Sequence, residues 1–306
     1  MPRHFLTLTD FTPEAIRETL DLAKRLKLET RRGVPHPLLE GQSIAAIFHK
    51  PSLRTKVSFE VAMVQLGGHA VNLTRDEIGL GSREAVRDVA QVLSRYVQGI
   101  VIRTFSQELV EELAQWSRVP VINALTDLYH PCQVLADLFT IQEVRGQLDG
   151  TRVAYLGDGN NVCHSWLSAA MRIPLELRLG IGAGYDPDPQ IVERAEQAGV
   201  SRIRIFRDPH EAVAGAQVIY TDVWTSMGQE QEQERRKRDL AGYQLNAALV
   251  AGADSHAIIM HCLPAHRGEE ITDDVIDSEQ SVVFPQAENR LHAQKALLAS
   301  LLGGGA

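Results

Sequence analysis

The stretch Ala257-Ile-Ile-Met-His-Cys-Leu-Pro-Ala-His-Arg-Gly-Glu-Glu270 changes character part-way along. Its first four residues form an unbroken apolar run, the composition of a strand buried on both faces. From His261 onward the chain places His, Cys, Pro, His and Arg where that strand stops. A strand leaving the core into such residues delivers a polar site, and open α/β sheets bind ligands beyond the carboxyl ends of their strands. Cys262 is among the first residues past this end. The plainer alternative is a buried cysteine with no chemical role, and the rest of the chain bears on the choice.

Outward from this stretch, apolar strand-like runs alternate with amphipathic helical ones. Candidate strands are Ser43–Phe48, Ala70–Leu73, Gly99–Arg103 and Val119–Asn123, with helical patterns near Thr55–Leu66, Glu84–Tyr96 and Gln107–Trp116. A second block repeats the scheme, with strands near Arg152–Leu156, Glu176–Gly180, Arg202–Phe206, Gln217–Thr221, Ala257–His261 and Val282–Phe284. Strand–helix alternation implies parallel sheets with right-handed crossovers. The expected fold class is α/β: two doubly wound domains, each a mainly parallel sheet flanked by helices. A helix near His130–Arg145 links them, and a last helix runs over about Ala287–Leu302 after Pro285. The charged run Glu230–Asp239 reads as a solvated helical face.

The chain has 306 residues, enough for two domains of ordinary size. A formal net charge of −8 argues against nucleic acid as a partner, so an anionic ligand would need a local basic pocket. Three scattered cysteines, Cys132, Cys163 and Cys262, make no disulfide framework and suit a reducing cytoplasm. No Cys/His spacing matches a structural zinc site. No apolar run approaches the ~20 residues of a membrane span, and the first residues do not read as a signal peptide.

Six further stretches end or follow strands in the same manner. Lys50-Pro-Ser-Leu-Arg-Thr-Lys56 opens a helix, where unpaired N–H groups and the dipole favour phosphate. Ser52 and Thr55 add hydroxyls and Arg54 a planar cation, although Ser and Thr are also ordinary caps. Arg103 closes an apolar strand, either paired with an acid or facing a ligand. In Tyr129-His-Pro-Cys-Gln133 the proline suits a first helical turn, His130 can donate to a developing oxyanion, and Gln133 can bond an amide. Thr221-Asp-Val-Trp-Thr-Ser-Met-Gly228 puts Asp222 at a strand end, able either to hold an ammonium group or to cap a helix. Glu288-Asn-Arg290 opens the last helix. Gly157-Asp-Gly-Asn-Asn-Val162 begins like a dinucleotide fingerprint but has Val162 where the third glycine belongs, which counts against a nicotinamide-dependent dehydrogenase.

Taken together and in this order, these stretches resemble the aspartate/ornithine carbamoyltransferase family, over the chain from about Phe5 to Leu302. The most specific parts are Asp222–Gly228 and His261–Gly268, and they resemble its ornithine-using branch. The resemblance implies transfer of the carbamoyl group of carbamoyl phosphate to the side-chain amine of ornithine, giving citrulline and phosphate. Ser52, Leu53, Arg54 and Thr55 match the family's phosphate loop. Arg103, His130, Gln133 and Arg290 match its other carbamoyl phosphate ligands, and Leu125, Asn161, Asp222, Ser226 and Met227 its ornithine-binding positions. Cys262 and Leu263 match a Cys-Leu pair that meets both substrates. The catalytic set is Cys262, Arg103, His130 and Asp222. The carbamoyl phosphate-binding domain is expected over residues 1–132 plus the terminal helix 286–306, and the ornithine-binding domain over 133–285. The family is built on a catalytic trimer, is cytoplasmic, and uses neither cofactor nor metal. Two positions depart from its pattern: Leu53 replaces a threonine in the phosphate loop, and Gly79 stands where many relatives have a glutamine reaching in from a neighbouring subunit. A carbamoyltransferase for another amine (putrescine, N-acetylornithine, lysine) and a non-catalytic binding paralogue remain the alternatives.

Overall fold

The computed structural model describes residues 3–225 and 230–303. The chain divides into two compact units, Met1–Phe139 with Glu288–Ala306, and Thr140–Ala287.

The first unit holds α1 (Pro13–Arg31), β1 (Ser43–Phe48), α2 (Leu53–Gln65), β2 (His69–Thr74), α3 (Val86–Tyr96), β3 (Gly99–Arg103), α4 (Gln107–Trp116) and β4 (Val121–Leu125). Helix starts follow the capping rules: Thr12, Ser52 and Ser106 each accept an N–H from the first turn of α1, α2 and α4. The sheet is fully parallel in the order β2-β1-β3-β4. Ala45, Ile47, Ile100 and Ile102 of the strands pack on Val86, Val89 and Ala90 of α3 and on Val110 and Leu113 of α4. The chain leaves β1 for β2 on one side and returns to β3 on the other, so the strand order reverses between β1 and β3. Loops diverge at such a reversal and leave a crevice at the strand ends. Phe48 pairs with Arg103 there.

The chain enters the second unit along α5 (Pro131–Arg145). That unit contains β5 (Thr151–Gly157), α6 (Asn161–Ala170), β6 (Leu175–Ile181), α7 (Pro189–Gln197), β7 (Arg202–Phe206), β8 (Val218–Thr221), α8 (Gln233–Leu240) and β9 (Ile258–His261). Its sheet is parallel in the order β7-β6-β5-β8-β9, reversing between β5 and β8. One face carries Ala154, Leu156, Ile219 and Ile259 against Ala212, Val213, Leu249 and Val275. Elsewhere Tyr220 stacks on Tyr155 and meets Trp166 of α6 edge-on, each pair with ring centroids 5.7 Å apart. Thr221 pairs with both Leu156 and His261, so β5, β8 and β9 stop level with one another.

The chain returns to the first unit in α9 (Val283–Leu302). The strand expected over Val282–Phe284 is therefore wrong. Val282 gives its N–H to Ile259 at 2.9 Å, and the helix begins at Val283. Pro285 lies in the first helical turn, where a missing N–H costs nothing, so it overrides the strand preference of Val and Phe. The last strand of the first sheet also starts two residues later than expected, at Val121, which makes Leu125 its final residue. Among the described residues no helix is long and apolar enough to cross a membrane.

Candidate active site

In the first unit the polar groups gather at the ends of β1, β3 and β4. Ser52 caps α2, accepting the Thr55 N–H at 3.3 Å, so it is the ordinary cap as well as a candidate ligand. Thr55 and Gln133 are tied together by Arg290 of α9, whose guanidinium donates to Gln133 Oε1 at 2.7 Å and Thr55 Oγ1 at 3.1 Å. All three are buried. The register between β3 and β4 shifts at Ile102/Arg103, a bulge-like break that re-aims the side chain at the strand end. His130 is fully enclosed. Burial first, then the Arg290, Arg103 and Arg54 guanidiniums, hold its pKa well below the usual imidazole value. It is therefore a neutral ring at physiological pH, able to donate one N–H without adding charge. The electrostatics thus group Arg54, Arg103 and Arg290 around one neutral histidine, a setting suited to an anion with a polarisable carbonyl beside it.

Two more side chains brace this group. The Lys50 ammonium donates to Asp127 and lies 4.2 Å from the Phe105 ring centroid. It ties together the loops after β1, β3 and β4. Asp137 accepts from Gln133 Nε2 at 2.8 Å. Leu53, at the first position of α2, is 75% exposed. Leu125 is half-buried, and its carbonyl accepts the Thr104 N–H at 2.9 Å. Gly79 takes φ +62° to end the turn Arg75–Ile78, and a Cβ there would lie 2.7 Å from that of Arg83. The fold at this position asks for glycine.

In the second unit the ends of β5, β8 and β9 converge on Asp222. The Cys262 thiol donates to Asp222 Oδ1 at 2.8 Å, Asn160 Nδ2 donates to Oδ2 at 2.8 Å, and the Val223 N–H adds a third bond at 2.8 Å. Asn160 is itself fixed by the Tyr155 hydroxyl at 2.9 Å and by capping α6. A carboxylate held by three donors is a preorganised receptor for an ammonium group. Burial pushes the thiol of Cys132 up to about 12 and that of Cys163 higher still. Leu263 sits at φ 57°, sparsely populated for a side chain with a Cβ. It is held by its N–H to His261 Nδ1 at 2.9 Å, while His261 Nε2 bonds the buried Glu270 at 3.0 Å.

Asn161, expected to touch the amino-acid substrate, opens α6 half-buried, and its carbonyl accepts from the Ser165 hydroxyl at 2.8 Å. Its neighbour Asn160 is the one bound to Asp222. Ser226 and Met227 lie outside the described residues. Arg236 corrects the reading of Glu230–Asp239 as a solvated face. It is 8% exposed and donates to Asp158 at 2.7 Å, the Trp224 carbonyl at 3.0 Å and Glu232 at 3.0 Å. In the glycine-rich turn after β5 a Cβ on Gly159 would stand 2.2 Å from the Pro187 nitrogen, so the turn is packed on another segment.

Two sets of side chains, Asp222 with His261 and Cys262, and His266 with Glu269 and Glu270, bring potential metal-ligand atoms within 4.8 Å of one another. In the first, both His261 nitrogens are already hydrogen-bonded. In the second, Glu269 is paired with Lys237 at 2.8 Å. Both sets read as hydrogen-bonding networks.

Comparison with known proteins gives two family matches along the chain. Residues 3–143 match the model of the aspartate/ornithine carbamoyltransferase carbamoyl-P binding domain, and residues 149–301 that of the Asp/Orn binding domain. The ornithine carbamoyltransferase of Geobacter sulfurreducens is 51% identical over 302 residues, covering 99% of this chain and all of that protein. The enzyme of that name from Pyrococcus horikoshii is 52% identical, covering 99% and 96%. Among solved structures, ornithine carbamoyltransferase from Pyrococcus furiosus superposes with a TM-score of 0.95 at 49% identity, covering 99% and 98%. That from Thermus thermophilus gives 0.89 at 46%, covering 99% of each chain.

Proposed function

The chain belongs to the aspartate/ornithine carbamoyltransferase family, and from that premise we propose that it transfers the carbamoyl group of carbamoyl phosphate to the side-chain amine of L-ornithine, yielding L-citrulline and phosphate. The observation that carries this reading is the sorting of the chemistry. Arg54, Arg103 and neutral His130 lie in the stretch matching the carbamoyl-P model, with Arg290 reaching that group from the last helix, and the Asp222–Cys262 pair lies in the stretch matching the Asp/Orn model.

The amine nitrogen attacks the carbamoyl carbon, the bond from that carbon to the phosphate oxygen breaks, and the amine loses a proton. Ser52, Leu53, Arg54 and Thr55 bind the phosphate, the first-turn N–H groups of α2 adding to the charge of Arg54. Thr55, Arg103 and His130 donate to the carbamoyl oxygen as negative charge grows on it, Arg290 adds a further contact to carbamoyl phosphate, and Gln133 accepts from the carbamoyl amide. Removing one such donor costs about 100- to 1000-fold in rate. An alkylamine has a pKa of about 10.4, so at neutral pH roughly one molecule in a thousand is reactive, a cost near 4 kcal/mol. Asp222 orients the amino acid as an ammonium receptor, with Leu125, Asn161, Ser226 and Met227 completing that half. Cys262 and Leu263 meet both substrates, and Cys262 need not become covalently attached. The departing phosphate dianion is a ready acceptor for the proton. Arginine side chains supply the charge compensation, so the step needs neither metal nor cofactor.

In this reading residues 1–132 with 286–306 serve carbamoyl phosphate, joined by Gln133 at the boundary, and the rest of 133–285 serves ornithine. The reaction belongs to arginine metabolism in the cytoplasm. The working assembly is a trimer, supported by a row of exposed apolar side chains: Leu53, Val57 and Val64 on α2, and Val71 on the edge strand β2. Assaying ureido product with ornithine, putrescine, N-acetylornithine and lysine in parallel tests the acceptor. The expected result is selective carbamoylation of ornithine, and preference for another amine overturns the assignment.

A further inference from the structure

Asp137 is a fully buried carboxylate on α5, one turn beyond Gln133. It accepts from Gln133 Nε2 at 2.8 Å, while Gln133 Oε1 accepts from Arg290 at 2.7 Å. A guanidinium can only donate, so the Gln133 oxygen faces Arg290 and its amide nitrogen faces Asp137. The glutamine amide is held from both ends and has a single orientation. Its oxygen faces the cation-rich side of the unit and retains a second lone pair. That lone pair suits an N–H donor, and of the groups on carbamoyl phosphate only the amide offers one.

We propose that Asp137 is a positioning residue that acts through Gln133 to make the site read the carbamoyl amide as distinct from the phosphate. This deepens the function proposed above and rests on it. Burying a carboxyl group is costly. The geometry gives the acid a purpose, which is to fix which end of a nearly symmetric amide points to the ligand.

The test compares three ligands that share a phosphate. Carbamoyl phosphate carries the amide, acetyl phosphate has a methyl group in its place, and inorganic phosphate has neither. Asp137→Leu removes the acceptor and leaves a shape suited to a dry site. The expected outcome is a KM for carbamoyl phosphate raised about tenfold, the size of one hydrogen bond. Inhibition constants for phosphate and acetyl phosphate should move less than about twofold on the same scale. Asp137→Asn keeps an acceptor oxygen, although a weaker one, and should recover most of the affinity. In a Gln133→Met background the Leu change should add nothing further. Equal weakening of all three ligands would mean that Asp137 merely supports the pocket, and an unchanged KM would remove it from recognition. Either result overturns the inference. If Asp137→Leu fails to fold, the Asn variant alone decides: a rise of a few-fold in KM with unchanged phosphate inhibition supports the proposal, and any other pattern contradicts it. Absence of citrulline from the unsubstituted protein would instead count against the proposed function.

Discussion

Cys262 and Asp222 are 40 positions apart in sequence and 2.8 Å apart in the fold. They meet because each immediately follows a strand, and those strands are neighbours ending level. A residue that sits just past a strand end is legible from sequence, since apolar runs stop abruptly at polar ones. That is why Ser52, Arg103, Asp222 and Cys262 stand out. What the sequence hides is the second partner. Nothing local marks Asp137 as the acid that orients Gln133, Asp127 as the partner of Lys50, or Arg236 as the buried member of a charged run. Those roles depend on distant residues that only folding brings close. Asn160 and Asn161 show the finer limit: either can cap a helix, and a one-residue choice of helix start decides which side chain turns to Asp222. Replacing Cys262 by Ala removes a donor to Asp222 and a group proposed to meet both substrates. Turnover should fall about 100-fold, while the dissociation constant for carbamoyl phosphate, measured calorimetrically, changes less than about threefold. Equal loss in both would contradict the assigned role.

At the scale of elements, α9 is the part of the fold that sequence patterning describes least well. Helices that pack on a sheet usually bury an apolar stripe, yet α9 buries Asn289, Arg290 and Lys295. Each is matched by a polar partner in the first unit. The Lys27 ammonium donates to Asn289 at 2.7 Å, Arg290 to Thr55 and Gln133, and Lys295 to Thr30 at 2.6 Å and Gln65 at 2.7 Å. The Lys295 ammonium also lies 2.9 Å from His36 Nε2. Paired in this way, polar residues fix the register of a helix where apolar ones would slide, the most direct explanation for so many in one interior. The same feature defeats periodicity as a guide, just as Pro285 defeated the expected strand over Val282–Phe284. Burial pulls Lys295 down to about 8, against the opposing pull of Glu29. In the unfolded chain a lysine keeps its proton to about pH 10.4. Between these values the unfolded state binds more protons, so this group makes stability rise with pH over that window. The stability of the unsubstituted protein minus that of Lys295→Met, from urea midpoints, should therefore grow between about pH 8 and about pH 10. A flat difference would show that the lysine titrates normally.

For the whole molecule, two parallel sheets and their strand-order reversals follow from alternation and chain direction, both readable in advance. Association of chains is harder to read, because an exposed valine looks the same in sequence as a buried one. The row Leu53, Val57, Val64 and Val71, between 41% and 75% exposed, is unusual for a solitary chain and fits a contact between copies. Val64→Asp puts a charge in that row, well away from the proposed ligands. Sedimentation should show the unsubstituted protein as a three-chain species and the variant as single chains. A single-chain parent, or a variant that remains associated, would contradict this reading.

Above all these scales stands the reaction itself. Supplying the purified protein with carbamoyl phosphate and L-ornithine, and quantifying citrulline and phosphate together, examines it without intermediaries. The prediction is both products in equal amounts, with no added metal or cofactor and with loss of turnover in Cys262→Ala. Phosphate release without citrulline, or no product from a folded protein, would contradict it.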